Sequence, residues 1–195
     1  MKADASTVRG GLIGTPSMIP QDPVTNLAEP EITFFCIVKV DADPGKASWI
    51  WFMNGNDAQT ILALRKNITT DLLTFFTRSS NTQNALAVDT VSVAGDGNTY
   101  LVCCQYSFTT KTARLIVNGR DNTTTNALMG TFDYTASAAT GFSLNTHPTL
   151  ATQNFLGNTG VLVFYDTVLL TNAQINLLAN GYYLNKYPSL VWTDI

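Results

Sequence analysis

The stretch TYLVCCQYSF at positions 99–108, followed by ARLIVNGR at 113–120, decides the fold class. Tyr100, Val102, Cys104, Tyr106 and Phe108 alternate with Leu101, Cys103, Gln105 and Ser107, a period of two that belongs to a β-strand. Neither set is strongly polar, so the strand is expected in the middle of a sheet, one face on the main core and the other partly covered. Asn118-Gly119 then closes Ala113–Val117, and both residues accept positive φ, as a tight hairpin turn requires. A returning strand is expected from Arg120.

Working outward, the same texture recurs about every 12 residues, an interval suited to a sandwich or barrel of short strands. Strand signatures cover Ile32–Asp41, Ser48–Asn54, Thr60–Lys66, Leu72–Arg78, Ala87–Val93, Thr99–Phe108, Ala113–Asn118 and Gly160–Val168. Turn clusters lie between them: Asp43-Pro44-Gly45, Asn54-Gly55-Asn56-Asp57, Ala94-Gly95-Asp96-Gly97-Asn98 and Asn158-Thr159-Gly160. One helix is expected, Thr171–Asn180. Thr171 and Gln174 form a capping box, Ile175, Leu178 and Ala179 make an apolar stripe, and Gly181 supplies a stop.

Composition agrees with a β-protein. Charged residues are 13% of the 195, about half the usual share of roughly 25%. Thr and Asn, 28 and 17 in number, carry the polar surface instead. Thr suits a pleated surface and Asn suits turns. Residues 1–31, with Pro16, Pro20, Pro23 and Pro30 and the pair Gly10-Gly11, read as an extended arm ahead of one domain at 32–195.

Several function classes are excluded. The net charge is −3, with Lys and Arg scattered singly, which is no footprint for nucleic acid. No apolar run reaches the ~18 residues of a membrane helix, and the N-terminus lacks the apolar core of a signal peptide, so a cytoplasmic origin is expected. Cys36, Cys103 and Cys104 are expected to be free thiols, mostly buried, the adjacent pair pointing to opposite faces.

Catalysis is not expected. Glu29 and Glu31, the only glutamates, sit in the arm, and no pair of carboxylates is spaced on one strand as glycoside hydrolysis needs. Asp41 and Asp43 precede Pro44-Gly45 and read as turn residues. His147 is the sole histidine, in a loop, and has no second ligand or nucleophile at a motif spacing. No cofactor or metal is expected. Asp57 and Asp96 are the loop residues that could hold calcium, but each is more simply a turn residue. A sugar platform could come from Trp49, Trp51 and Phe52, although Trp49 and Trp51 share one face of a regular strand and so read as core. Trp192 is expected to anchor the C-terminus.

The segment Thr99–Asn180 resembles the C-terminal half of concanavalin A-like lectin/glucanase domains, in particular the laminin-G-like branch of bacterial and phage surface proteins. The residues that carry this are Val117-Asn118-Gly119, Phe155-Leu156-Gly157, and Val161–Leu170 with Tyr165-Asp166 leading into Thr171–Ile175. Gly181–Pro188, GYYLNKYP, is similar to the GYLANKYG ending of phage and environmental members. The resemblance implies an all-β, two-sheet antiparallel jelly-roll sandwich with a short C-terminal helix. It implies a non-catalytic virion protein, a capsid decoration or tail-associated component made in a host cytoplasm, holding other virion proteins through the arm and forming a homo-oligomer. The alternative is a carbohydrate-binding adhesin module with a glycan partner.

Overall fold

A computed structural model describes residues 12–13, 31–40, 48–54, 61–80, 83–93, 95, 97–107, 109–128, 141–145, 155, 157–166 and 168–195. Eleven strands run through these residues: β1 Leu12–Ile13, β2 Glu31–Val40, β3 Ser48–Asn54, β4 Ile61–Lys66, β5 Leu72–Ser80, β6 Gln83–Ser92, β7 Thr99–Ser107, β8 Thr112–Val117, β9 Arg120–Thr125, β10 Gly141–Leu144 and β11 Gly157–Asp166. They form a six-stranded sheet, β1-β10-β3-β4-β5-β6, and a five-stranded sheet, β11-β2-β7-β8-β9, with every pairing antiparallel. The eight expected strands are all present. The short strands β1 and β10 were not anticipated, and β6 starts four residues before Ala87. Strand β2 begins at Glu31, inside the segment read as arm; the rest of that segment, apart from Leu12–Ile13, lies outside the described residues.

Alternation explains the layers. Phe34, Cys36, Val38 and Val40 of β2, Tyr100, Val102, Cys104 and Tyr106 of β7, and Leu115 and Val117 of β8 point between the sheets. They meet Trp51, Leu62, Leu64, Leu73, Phe75, Ala85 and Ala87 from the six-stranded sheet. Trp51 lies between Phe34 and Phe75, with ring centroids 4.4 and 5.8 Å away. Burying each such side chain contributes about 1.5–3 kcal/mol. Strand β7 is central in its sheet, and its second face carries Leu101 and Cys103, buried with Phe35, Ile37 and Ile116 under the C-terminal segment. The free thiols are buried, and Cys103 and Cys104 lie on opposite faces as expected.

That second face needs a cover, and the chain's end supplies it. Helix α1, Asn172–Leu178, starts from Thr171 with the full capping box. Gly181 does not stop it. The helix continues through a π turn, Ala179–Tyr183, into α2, Leu184–Lys186. Gly181 is not among the positive-φ glycines, so it serves as an ordinary helical residue at a cost of about 1 kcal/mol. The wider turn keeps Ile175, Ala179 and Tyr183 on the sheet, where Tyr183 stacks on Phe35 at 5.4 Å. Burial of that aromatic ring outweighs the glycine penalty.

Asn118 and Gly119 turn with φ of 51° and 85°, as the hairpin reading expects. The Leu101 backbone N–H donates to Asn118 Oδ1 at 2.8 Å, and the Thr193 N–H donates to the Asn118 carbonyl at 3.2 Å. A Cβ on Gly119 would sit 1.8 Å from the Thr193 carbonyl oxygen, so the glycine also admits the C-terminal tail. Trp192 Nε1 donates to Asn176 Oδ1 at 3.1 Å, and Asn176 Nδ2 donates to the Ile195 oxygen at 3.0 Å, which makes Trp192 the expected anchor.

Candidate functional site

Among the described residues, two surface regions bring polar side chains together, one on the outer face of each sheet. The first lies beside α1 on the five-stranded sheet, a pocket of about 340 Å³ lined by Gln105, Ser107, Thr112, Arg114, Thr171 and Asn172 among others. Its cation makes four side-chain hydrogen bonds. Arg114 donates to both oxygens of Asp121 at 2.9 and 2.6 Å, to Gln105 Oε1 at 3.1 Å and to Asn172 Oδ1 at 2.9 Å. Gln105 in turn donates to Thr33 Oγ1 and the Leu170 carbonyl, and Thr33 donates to the Val168 carbonyl. The network stitches the strand-to-helix connection onto the sheet, a structural task that leaves Arg114 no edge for a ligand. Glu31, at the start of β2, accepts from Ser107 at 3.1 Å.

The second region is the outer face of the six-stranded sheet, and a β-bulge creates it. Pairing of β3 with β4 runs Trp49↔Arg65 and then Trp51↔Leu64, so Ile50 is the extra residue. A bulge shifts the parity of everything beyond it. Ile50 and Trp51 therefore both face the core, while Trp49 turns outward with Ala63 and Phe76. The shared face expected for Trp49 and Trp51 is corrected: Trp51 is core, and Trp49 belongs to the outer cluster. The Phe52 side chain is outside the described residues.

Beside Trp49 lies Arg65. Its guanidinium carbon is 5.3 Å from the Trp49 ring centre and 4.7 Å from that of Phe76. Arg78 meets the same Phe76 ring at 5.7 Å. Cations over aromatic faces gain about 0.5–2 kcal/mol each. No carboxylate forms an ion pair with Arg65 among the described residues. Burial, and then the like charge of Arg78, lower the proton affinity of Arg65 below that of an ordinary arginine.

The register places further groups. Ala63, Phe76 and Leu86 form one cross-strand row, and Arg65, Thr74 and Val88 the next. Thr74 is buried, yet its Oγ1 has no hydrogen-bond partner among the described residues, and neither has the buried Nε of Arg65. Unmade bonds of this kind cost about 1–3 kcal/mol each. Leu86 and Val88, at the end of both rows, are 36% and 38% exposed. The face thus joins a cation held by two rings, an unmet hydroxyl and an apolar shelf.

Sequence reading missed Arg65, Thr74 and Phe76. Their outward parity was visible within Ile61–Lys66 and Leu72–Arg78, but their juxtaposition depends on register. His147, Asp41, Asp43, Asp57, Asp96 and Glu29 lie outside the described residues. Among the described residues no three His, Cys, Asp or Glu side chains gather to hold a metal, and no helix is long and apolar enough to cross a membrane. The three thiols are held protonated: burial raises Cys36, Cys103 and Cys104, and their mutual proximity adds to this for Cys36 and Cys104.

No family model matches the chain, and no curated protein matches it in sequence. Its fold is similar to solved structures. A native heptameric SAP-like pentraxin from Limulus polyphemus aligns with TM-score 0.59 and 14% identity over 87% of this chain and 81% of its own. The CBM40 of a Ruminococcus gnavus IT-sialidase, bound to α2,6 sialyllactose, aligns with TM-score 0.54 and 15% identity over 77% of this chain and 84% of its own. Mouse laminin α1 domains LG4-5 align with TM-score 0.56 and 12% identity over 84% of this chain and 44% of theirs. The chain folds as a concanavalin A-like jelly roll.

Proposed function

We propose that this domain is a non-catalytic carbohydrate-binding module, and that its binding face is the outer face of the six-stranded sheet. One observation carries the placement: the Arg65 guanidinium, with no carboxylate paired to it among the described residues, shares this face with the exposed Leu86 and Val88. Sugars present hydroxyls and apolar C–H faces together, and they match such a surface of few polar groups among apolar ones. The structural neighbours, through the sialyllactose-bound CBM40, support a glycan ligand. They lend no support to the virion role expected from the GYYLNKYP ending, and of the two readings made from sequence they favour the glycan-binding alternative.

The test is glycan-array binding by the full chain, followed by the Val88→Asp variant, which places a charge on the exposed shelf. Binding to a defined set of glycans that V88D weakens at least tenfold is the expected result. An array without signal overturns the glycan reading. Unchanged binding by V88D moves the site off this face.

A further inference from the structure

Resting on that reading, we propose that Arg65 makes the site selective for acidic sugars, engaging a carboxylate on the ring whose apolar face lies toward Val88 and Leu86. A guanidinium taken partly out of water pays a desolvation cost that proteins normally offset with a carboxylate. Arg114 and Arg120 follow that rule, each bonded through two nitrogens to an aspartate. Arg65 does not: it is half-buried, has no acidic partner among the described residues and has a second arginine across the same phenyl ring. The chain as a whole is acidic, so a half-buried cation with no carboxylate paired to it among the described residues is a local exception.

Trp49 and Phe76 give the exception its geometry. Their rings are perpendicular, 89° apart with centroids 6.2 Å from each other, and both lie against Arg65. Holding a cation against two rings limits its rotamers, so less entropy is lost when it takes a ligand. A planar guanidinium then offers paired N–H donors that match the two oxygens of a carboxylate.

The rest of the row fixes what bears that carboxylate. Thr74 is directly across from Arg65, and Val88 is directly across from Thr74. Neighbouring strands are about 4.8 Å apart, so the row from cation to apolar shelf spans roughly 10 Å. A sugar ring with a carboxylate at one end has that reach. A bare inorganic anion would use Arg65 and leave the shelf empty.

The experiment titrates the full chain calorimetrically with digalacturonic acid, its neutral methyl ester and a galactose sulfate. The acid is expected to bind at least tenfold more tightly than the ester, with a preference that shrinks as salt is added. Arg65→Gln is expected to abolish the preference, bringing the acid down to the affinity of the ester in the same variant, and Arg65→Lys to retain part of it. Equal affinity for acid and ester, or an unaltered preference in R65Q, overturns the role of Arg65 but leaves a neutral-glycan module standing. Sulfate binding as tight as the acid overturns the choice of carboxylate. If none of these probes binds while the glycan array gives signal for neutral sugars, the acidic-sugar proposal fails alone; silence in both fails the glycan reading with it. Should R65Q not fold, R65K and the acid-to-ester ratio of the unaltered chain decide.

Discussion

Asp89 and Arg120 close one edge of the sandwich, and removing either should cost stability, though not equally. Asp89 is on the inward parity of β6 with Ala85 and Ala87, and is only 1% exposed. Arg120, the first residue of β9 in the opposite sheet, donates to its two oxygens at 3.0 and 2.6 Å. The aspartate's own neighbour, Thr90 N–H, donates to it at 2.8 Å. Arg120→Ala therefore leaves a carboxylate sealed in the protein with one backbone donor, a loss of about 3–5 kcal/mol. Asp89→Ala leaves a guanidinium whose side chain is 33% exposed and can turn into water. Its cost is that of the charge-assisted bonds alone, about 1–2 kcal/mol net. For a chain of this size each kcal/mol moves the midpoint by about 2–4 °C, so R120A should melt roughly 6–20 °C lower and D89A roughly 2–8 °C lower. Thermal melts at neutral pH, with a double-mutant cycle for the coupling, measure both. If D89A costs as much as R120A, or if both cost under about 1 kcal/mol, the reasoning from unequal burial is wrong.

Two further outcomes follow from the packing. Gly119→Ala should be far more damaging than Gly97→Ala: both glycines have positive φ, but a Cβ at Gly119 meets the Thr193 carbonyl at 1.8 Å, whereas at Gly97 it meets nothing within 4 Å. G119A should lose the C-terminal tail, read as Trp192 emission shifting to the red, while G97A costs only the backbone strain of about 1 kcal/mol; similar effects in the two variants would remove the tail-docking role of Gly119. The second concerns alkali. Burial raises Tyr106 and Tyr183 above the ordinary tyrosine range and holds the three thiols protonated. Groups with raised folded-state values stabilise fully below their unfolded values and lose that contribution as pH climbs. The urea midpoint should therefore hold steady up to about pH 8 and fall through the unfolded cysteine and tyrosine values of roughly 8.5 and 10. A midpoint that is flat to pH 10.5 would contradict their burial.

Much of the fold was legible along the chain because its signals are local. The alternation in Thr99–Ser107, the positive-φ pair Asn118-Gly119 and the Thr171/Gln174 box each depend on residues within a few positions of one another. The failures were of a different kind. Gly181 carries a stop signal that holds for an isolated helix, but the sheet offered Tyr183 a place against Phe35 and the helix continued. Strand β10 has only four residues, too few for a period to show, and it exists because β3 presents an edge to it. The candidate site was the least legible part. Arg65, Thr74 and Val88 are separated by 9 and 14 positions and meet only through the registers of two strand pairs.

The sequence by itself determined that this chain is an all-β sandwich with a capped C-terminal helix and buried thiols, since periodicity, turn chemistry and capping act over short separations. Only the tertiary structure decided that Trp49 and Trp51 part company, because a single unpaired residue, Ile50, reverses the parity of a strand and its position is set by the partner strand rather than by its own neighbours. It also decided that Arg65 has no carboxylate paired to it among the described residues. Charge balance is a property of space, and two arginines thirteen residues apart became neighbours over one phenyl ring when β4 and β5 paired.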